Sequence, residues 1–177
     1  MRKLLLALSL SIITVSLIAQ ENVKINWISF EEAIKKNEET PKKFLIDVYT
    51  KWCGWCKRLN STTFKDPTIV EYINQYFWPV KLNAERRDTV MLGDQMFVNE
   101  YPDRKRSAHQ LAIALLNGKM TYPSIVYLDE HVELLQVLPG YYDATDIEPI
   151  IVFFGEDIYK HTSWEEFKSS FATKRKQ

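Results

Sequence analysis

The segment FLIDVYTKWCGWCK, residues 44–57, decides the fold of this 177-residue chain. Its first part, residues 44–49, is almost continuously apolar, which is typical of a strand that is covered on both faces. Asp47 is the only charged residue in that strand. In the second part, Cys53 and Cys56 stand where a helix is expected to begin. A buried strand that leads into two cysteines at a helix start indicates an α/β domain with redox chemistry.

Strands and helices alternate along the rest of the chain, as hydrophobic periodicity and helix-capping residues indicate. We expect strands at residues 25–28, 44–49, 78–82, 124–128 and 132–138. We expect helices at residues 30–37, 53–62 and 107–116, and three more that begin near residues 66, 145 and 163. The expected helix caps are Ser29, Asp66, Ser107, Thr145 and Ser163. This order predicts one α/β domain with a parallel centre and an antiparallel hairpin.

Composition and charge exclude several classes of protein. The chain has 23 basic and 23 acidic residues, so no global charge favours nucleic acid or an anionic membrane surface. With 46% hydrophobic residues, it is neither disordered nor of low complexity. It has only two cysteines, and a bridge between such close neighbours would constrain the unfolded chain very little. The cysteine pair therefore indicates a chemical role rather than a structural one.

The N-terminus has the pattern of a secretory signal peptide. Arg2 and Lys3 precede an apolar run at residues 4–18, and the small residue Ala19 follows it. We expect cleavage after Ala19, which leaves residues 20–177 as a single domain in the periplasm or outside the cell, where disulfides persist. A retained membrane anchor is the alternative, although the run is shorter than the roughly 20 residues that a span needs.

The position of the cysteine pair favours a reactive thiolate. Unpaired backbone N–H groups and the positive end of the helix dipole meet at Cys53, with Lys57 and Arg58 just behind it. In such a place the pKa of a thiol falls from about 8.5 to roughly 3.5–7.5. We expect Cys53, as the more exposed sulfur, to attack a substrate disulfide and Cys56 to resolve the mixed disulfide that forms.

Zinc, haem and a structural bridge account for the cysteine pair less well. A zinc site would need two more ligands, but His109, His131 and His161 are scattered along the chain. Covalently attached haem would need a histidine where Lys57 stands. An inert structural disulfide is the third alternative, although a bridge that closes so short a loop stabilises the fold very little. We expect no metal and no cofactor, because the two sulfurs themselves carry both electrons.

Residues 44–57 and the continuation TFKDPTIV at residues 63–70 resemble the active-site region of the thioredoxin superfamily. The resemblance is to the C-terminal thioredoxin-like domain of DsbD-type thiol:disulfide interchange proteins and to their stand-alone periplasmic relatives. It covers about residues 43–83 well and residues 121–155 more loosely. It implies a thioredoxin fold, in which helices flank a central mixed β-sheet. Beyond the matched segments we expect an extended helical insert, at about residues 84–120, before the strand that follows the cis-proline.

The resemblance assigns a role to Asp47, which matches the family's buried carboxylate near the deeper cysteine. A carboxyl group in an apolar strand has a raised pKa, and it could accept and return the proton of Cys56. In the alternative, Asp47 is paired with Lys42, Lys43 or a backbone amide and has no part in the chemistry.

Three residues match positions around the family's active site. Pro123 matches the cis-proline that faces the cysteine pair, and the backbone of Tyr122 would then pair with an extended substrate strand beside Cys53. Trp52 matches the aromatic residue before the first cysteine and would flank the site. Gly140 matches a glycine after the last strand, where close backbone approach is useful.

The chain departs from the family pattern in three places. Trp55 stands where thioredoxin has proline, so a redox potential cannot be transferred. The histidine that strongly oxidising relatives have between their cysteines is absent, which favours a reductant. The insert is also longer than the corresponding thioredoxin segment. It is either a surface helix with Leu111, Leu115 and Leu116 packed inward or a wall beside the site that selects partners.

These observations lead to the hypothesis of an exported thiol:disulfide oxidoreductase that reduces disulfides in protein substrates. A membrane thiol reductase would return electrons to the pair. Two alternatives stay open: a disulfide oxidase or isomerase of secreted proteins, and a non-enzymatic thioredoxin-fold binding module with a vestigial pair. Neither nucleic acid nor metal is expected among the partners.

Overall fold

The computed structural model describes residues 24–175. The predicted signal peptide, residues 1–19, lies outside this range. Among the described residues, no helix combines the length and the apolar character that a membrane span requires.

A central β-sheet with helices on both faces confirms the predicted α/β class. The strands are β1 (Lys43–Tyr49), β2 (Phe77–Asn83), β3 (Val90–Leu92), β4 (Gln95–Phe97), β5 (Ser124–Leu128) and β6 (Leu134–Pro139). The helices are α1 (Phe30–Glu39), α2 (Gly54–Ser61), α3 (Pro67–Tyr76), α4 (Gln110–Leu115), α5 (Ala144–Gly155) and α6 (Trp164–Arg175). Short 3₁₀ turns lie at Thr63–Lys65 and Ile158–Lys160.

The central sheet is mixed, as predicted, and has the strand order β2-β1-β5-β6. β1 and β2 are parallel, whereas β5 is antiparallel to both β1 and β6. The register places Asp47 of β1 opposite Lys81 of β2, and Val48 of β1 opposite Ser124 of β5. The residues that follow β1 and those that precede β5 therefore meet at the same end of the sheet.

The core lies in two layers, one on each face of the sheet. Leu45 of β1 belongs to the layer that also contains Ile69 of α3 and Ile151 of α5. Its neighbour Ile46 belongs to the layer that also contains Phe30 of α1. Because side chains alternate along a strand, β1 is buried on both faces, which explains its nearly continuous apolar sequence.

The predicted strand at residues 25–28 is wrong. Only Ile28 bridges to β2: its N–H donates to the carbonyl of Pro79 at 2.9 Å, and its carbonyl accepts from the N–H of Lys81 at 3.1 Å. Before Ile28 the chain pairs with a helix instead, because the N–H of Asn26 donates to Asn74 Oδ1 of α3 at 2.9 Å, so no ladder forms.

Most of the predicted helix caps are confirmed. Ser29, Asp66 and Ser163 accept hydrogen bonds from the first turns of α1, α3 and α6. The cap of α5 is Asp143 and not Thr145, because the Asp143 carboxylate accepts from two backbone N–H groups of the first turn at 2.9 Å. A charged carboxylate is a stronger acceptor than a hydroxyl group.

Helix α4 begins later than predicted, because Ser107 has another partner. The Ser107 hydroxyl donates to Asn99 Oδ1 at 2.7 Å. The cap of α4 is His109, whose Nδ1 accepts from the N–H of Leu111 at 3.2 Å. The helix that results has only six residues.

The insert also contains a β-hairpin that was not predicted. β3 and β4 are antiparallel, and Gly93 in their turn has a φ of 56°, in the left-handed region that glycine favours. The pair Gly93-Asp94 between two short apolar runs is a hairpin signal that could have revealed it. Leu111 and Leu116 are buried in the core and Leu115 is partly buried against it, as the first alternative for the insert expected. The expected helical insert is therefore part helix and part hairpin.

Candidate active site

β1 leads through a tight turn into the cysteine pair. The N–H of Cys53 donates to the carbonyl of Thr50 at 3.3 Å. Cys53 is the N-cap of α2, and its Sγ accepts from the N–H of Cys56 at 3.0 Å. The two cysteines form a disulfide, with their Cα atoms 5.3 Å apart. The pair thus lies at the predicted helix start, where backbone N–H groups and the helix dipole stabilise a thiolate once the disulfide is reduced.

The two sulfurs differ in their position on the helix rather than in their burial. Cys53 and Cys56 have exposed fractions of 5% and 4%, so the expected greater exposure of Cys53 is not seen in the disulfide form. The sulfur at the cap is the one that accepts a helix N–H. Because a hydrogen bond to a thiolate favours the ionised form, this geometry supports the prediction that Cys53 is the attacking sulfur.

Two exposed tryptophans flank the pair. Trp52 and Trp55 have exposed fractions of 49% and 56%. The indole N–H of Trp52 donates to Glu85 Oε1 at 2.9 Å, and its ring meets that of Tyr122 edge-on at 5.9 Å. The ring of Trp55 lies 5.4 Å from that of Tyr141. These rings form an apolar surface with polar edges next to the disulfide, as at many protein-binding sites.

The peptide bond between Tyr122 and Pro123 is cis, as the resemblance implied. Pro123 stands directly before β5, and its carbonyl accepts from the N–H of Gly140 at 2.8 Å. Gly140 has a φ of 96°, which residues with a side chain rarely adopt. A Cβ at Gly140 would meet no heavy atom within 4 Å, so the positive φ, and not the expected close approach, is what favours glycine here.

A groove of about 360 Å³ runs along the cis-proline, lined by Trp55, Tyr122, Pro123, Gly140 and Tyr141. Within residues 24–175, the backbone N–H and C=O of Tyr122 have no hydrogen-bond partner. Burial, with a smaller contribution from the charge of Glu85, raises the pKa of the Tyr122 phenol to about 12, so this group is neutral. An extended chain in the groove would find an unpaired peptide group and aromatic walls.

Asp47 is fully buried in β1 and forms an ion pair with Lys81 of β2. The expected alternative partners are wrong, because Lys43 is paired with two other carboxylates and Lys42 donates to a backbone carbonyl. Asp47 Oδ1 has no hydrogen-bond partner among the described residues. Burial raises the pKa of Asp47, and the charge and hydrogen bond of Lys81 oppose that rise only in part.

Lys81 is a residue of the site that was not predicted from the sequence. Its Nζ also donates to Asn60 Oδ1 at 3.2 Å and lies 4.5 Å from the ring centre of Trp27 and 5.3 Å from that of Phe64. Lys81 and Cys56 line the same cleft, which has a volume of about 210 Å³. The signal that could have revealed Lys81 was a single lysine in the apolar run of β2. The strand register that places it opposite Asp47 cannot be derived from the sequence.

His109 is buried in the insert, where both of its ring nitrogens contact the backbone. Its Nε2 lies 2.9 Å from the carbonyl oxygen of Asp88, while its Nδ1 caps α4. Burial lowers the pKa of His109, which favours the neutral ring that this arrangement needs. Among residues 24–175, no group of three or more His, Cys, Asp and Glu side chains is placed to hold a metal ion.

The fold and the cysteine pair define the class of the protein, which is an α/β domain with a CxxC disulfide at the start of a helix. The family model described as the thioredoxin-like domain matches residues 30–155. Because this match covers more than half of the chain, the protein belongs to the thioredoxin-like domain family.

Similar proteins agree with this assignment. A protein of Archaeoglobus fulgidus, described as uncharacterized, is 31% identical over 86 residues, which are 49% of this chain and 68% of that protein. The thiol:disulfide interchange protein DsbD of Photorhabdus laumondii is 25% identical over 122 residues, which are 68% of this chain but only 17% of DsbD. A solved thioredoxin-fold protein from Helicobacter pylori has a TM-score of 0.54 at 17% identity, over 75% of this chain and 81% of that one. The protein is a thioredoxin superfamily member that resembles DsbD-type domains.

The variant Asp47→Asn is expected to have a higher free energy of unfolding than the wild type at about pH 8, because it removes a buried carboxylate. The gain should shrink as the pH falls through the raised pKa of Asp47 towards its ordinary value of 3.8. In that window the folded wild type binds the proton more tightly than the unfolded chain, so wild-type stability recovers. Urea denaturation of both proteins between about pH 4 and pH 8 measures the difference.

Asp143→Asn is the matched control, because asparagine can replace this exposed carboxylate as the cap of α5. It is expected to change the free energy of unfolding little across the same pH range. A gain from Asp47→Asn that is independent of pH would contradict the assignment of a raised pKa to this carboxyl group.

Proposed function

We propose that the protein is a thiol:disulfide oxidoreductase that reduces disulfides in protein substrates through Cys53 and Cys56. The observation that carries this proposal is the place of the pair, at the start of α2 and with Cys53 Sγ accepting a backbone N–H. A purely structural bridge has no need of a sulfur polarised in this way. The likeness to DsbD, described as a thiol:disulfide interchange protein, supports the same chemistry.

Reduction proceeds in two exchanges that balance thiols and electrons. The Cys53 thiolate attacks one sulfur of the substrate disulfide, a mixed disulfide forms, and the other substrate sulfur leaves as a thiolate. The Cys56 thiolate then attacks Cys53, which releases the second substrate thiolate and forms the Cys53–Cys56 disulfide. The substrate gains two electrons and two protons, and the cysteine pair loses them.

In this scheme Asp47, which is paired with Lys81, accepts the proton of the Cys56 thiol. Lys81 lines a cleft with Cys56 and is bonded to Asp47. Asp47 has one oxygen without a partner among the described residues and a pKa raised by burial, which suits a group that takes a proton from a thiol. Removing that proton makes Cys56 a nucleophile for the second exchange.

The proposed substrate is an extended segment of protein that lies in the groove beside Pro123. The unpaired N–H and C=O of Tyr122 would bond to its backbone next to Cys53. Trp52 and Trp55, each about half exposed, would cover its apolar side chains.

Reduction of a protein disulfide with dithiothreitol as electron donor tests this function. The wild type is expected to accelerate the reaction, and Cys53→Ser is expected to return it to the uncatalysed rate, because the attacking sulfur is lost. Cys56→Ser should instead accumulate mixed disulfides with the substrate. Asp47→Asn should slow turnover about a hundredfold, because the general base is lost while both sulfurs remain.

Circular dichroism of each variant controls for folding. A wild-type rate no higher than that of Cys53→Ser would overturn the proposal. Partner binding that survives the loss of both cysteines, without any reductase activity, would favour a non-enzymatic binding module instead.

We propose further that the pair acts as a reductant, since no histidine lies between Cys53 and Cys56. The reduction potential of the pair, measured by equilibration with a glutathione buffer, is then expected to lie below about −200 mV. Thioredoxin lies at about −270 mV and disulfide isomerase at about −180 mV. A value near about −120 mV is typical of a strong oxidant and would reverse the proposed direction of electron flow.

Export and re-reduction by a membrane thiol reductase complete the proposal. The charge, apolar run and small residue of residues 1–19 support cleavage after Ala19, and the partial match to DsbD supports a thiol-bearing redox partner. The exported protein from the native host is expected to begin at Gln20, as intact-mass spectrometry would show. A chain that keeps Met1 and stays in the membrane fraction would indicate a retained anchor.

A further inference from the structure

One loop of the insert, residues 100–107, is fixed by the buried side chain of Asn99. Asn99 Nδ2 donates to the carbonyl of Ser107 at 2.9 Å and to that of Arg86 at 3.2 Å. Asn99 Oδ1 accepts from the Tyr101 N–H at 3.2 Å and from the Ser107 hydroxyl at 2.7 Å. Three of these four hydrogen bonds therefore tie down both ends of this segment, which we call the insert loop, and the fourth ties it to Arg86.

The insert loop reaches the active site through Arg106. The guanidinium carbon of Arg106 lies 4.7 Å from the ring centre of Trp52. The indole N–H of the same tryptophan donates to Glu85, near the start of the insert. The insert therefore holds the residue next to Cys53 at two points. A guanidinium that stacks on a ring keeps N–H donors at its edge, where they can bind a carboxylate.

The face around the cysteine pair carries unpaired positive charge. Its exposed cations are Lys51, Lys57 and Arg58, which are neighbours of the pair in the chain, and Arg106, which contacts Trp52 and directly follows the exposed Arg104 and Lys105 of the insert loop. In the described part of the chain, none of these six forms an ion pair, whereas Lys36, Lys43, Lys81, Arg86, Arg87 and Lys160 do. Since the whole chain has a formal net charge of zero, this concentration of charge is local.

Nearby carboxylates offset this charge only in part. Asp103 of the insert loop pairs with Arg87 at 3.2 Å, and Asp88 and Glu31 share Arg86. Glu85 and Glu100 accept hydrogen bonds only from neutral N–H donors and keep their negative charge. The six cations without an ion pair still outnumber these carboxylates, and the excess positive charge is left to interact with a partner.

We propose that this face selects protein substrates whose disulfide is flanked by aspartate and glutamate residues. The inference rests on the proposed reductase function and names its substrate class. Opposite charges speed the encounter and hold the substrate segment while Cys53 attacks its disulfide. The insert loop then acts as the selective wall of the site.

Three synthetic peptides test this selectivity. They share one disulfide and differ only in the residues that flank it, which are glutamate, glutamine or lysine. At about 0.02 M ionic strength, kcat/KM of the wild type is expected to be about tenfold or more higher for the glutamate peptide than for the lysine peptide. At about 0.5 M the ratio should fall several-fold, because salt screens exposed charges.

The double variant Arg104→Gln/Lys105→Gln removes two charges of the insert loop and leaves Arg106 on Trp52. It is expected to lower the preference for the glutamate peptide about threefold or more. Lys35→Gln/Lys168→Gln is the matched control, because it removes the same charge from exposed positions on α1 and α6. This control should keep the wild-type preference.

Each result of this experiment is decisive. Equal kcat/KM for the three peptides, a preference for the lysine peptide, or the same loss in the variant and its control would overturn the inference and leave the reductase function standing. Failure of the wild type to reduce even the glutamine peptide would overturn the proposed function itself.

Discussion

The central position of β1 is the constraint on which the rest of the structure depends. Its two edges are occupied by β2 and β5, and its two faces are covered by the two layers of the core. The register with β2 sets Asp47 opposite Lys81, and the register with β5 brings the residues before Ser124 to the end of β1 that leads to Cys53. One strand thus positions the cysteine pair, the buried ion pair and the cis-proline.

The buried carboxylate of Asp47 is a local exception in that strand. The residues on either side of it, Ile46 and Val48, are apolar, and an apolar side chain would be easier to bury than a charge. Lys81 opposes the effect of burial on the pKa of Asp47 only in part, and one carboxylate oxygen has no partner among the described residues. A buried carboxylate between apolar residues is expected where function, rather than stability, determines which residue occupies the position.

The insert has a structural feature of each of the two alternatives that its sequence left open. Leu111 and Leu116 anchor it in the core, as a decorative helix would require. Glu85 and Arg106 contact Trp52 beside the disulfide, which a decorative helix would not require. The hairpin and the Asn99 hydrogen bonds give this segment a defined shape. The same segment therefore packs into the core and contacts the active site.

Features that depend on near neighbours were predictable from the sequence: the apolar strand β1, the helix start at Cys53 and several helix caps. The resemblance added the cis peptide bond and the burial of Asp47. The pairing of Asp47 with Lys81 was not predictable, because these residues are 34 positions apart and meet through strand register. The tertiary structure also moved the N-cap of α4 to His109, since the Ser107 hydroxyl donates to Asn99. Such contacts depend on how distant segments pack, which no local pattern specifies.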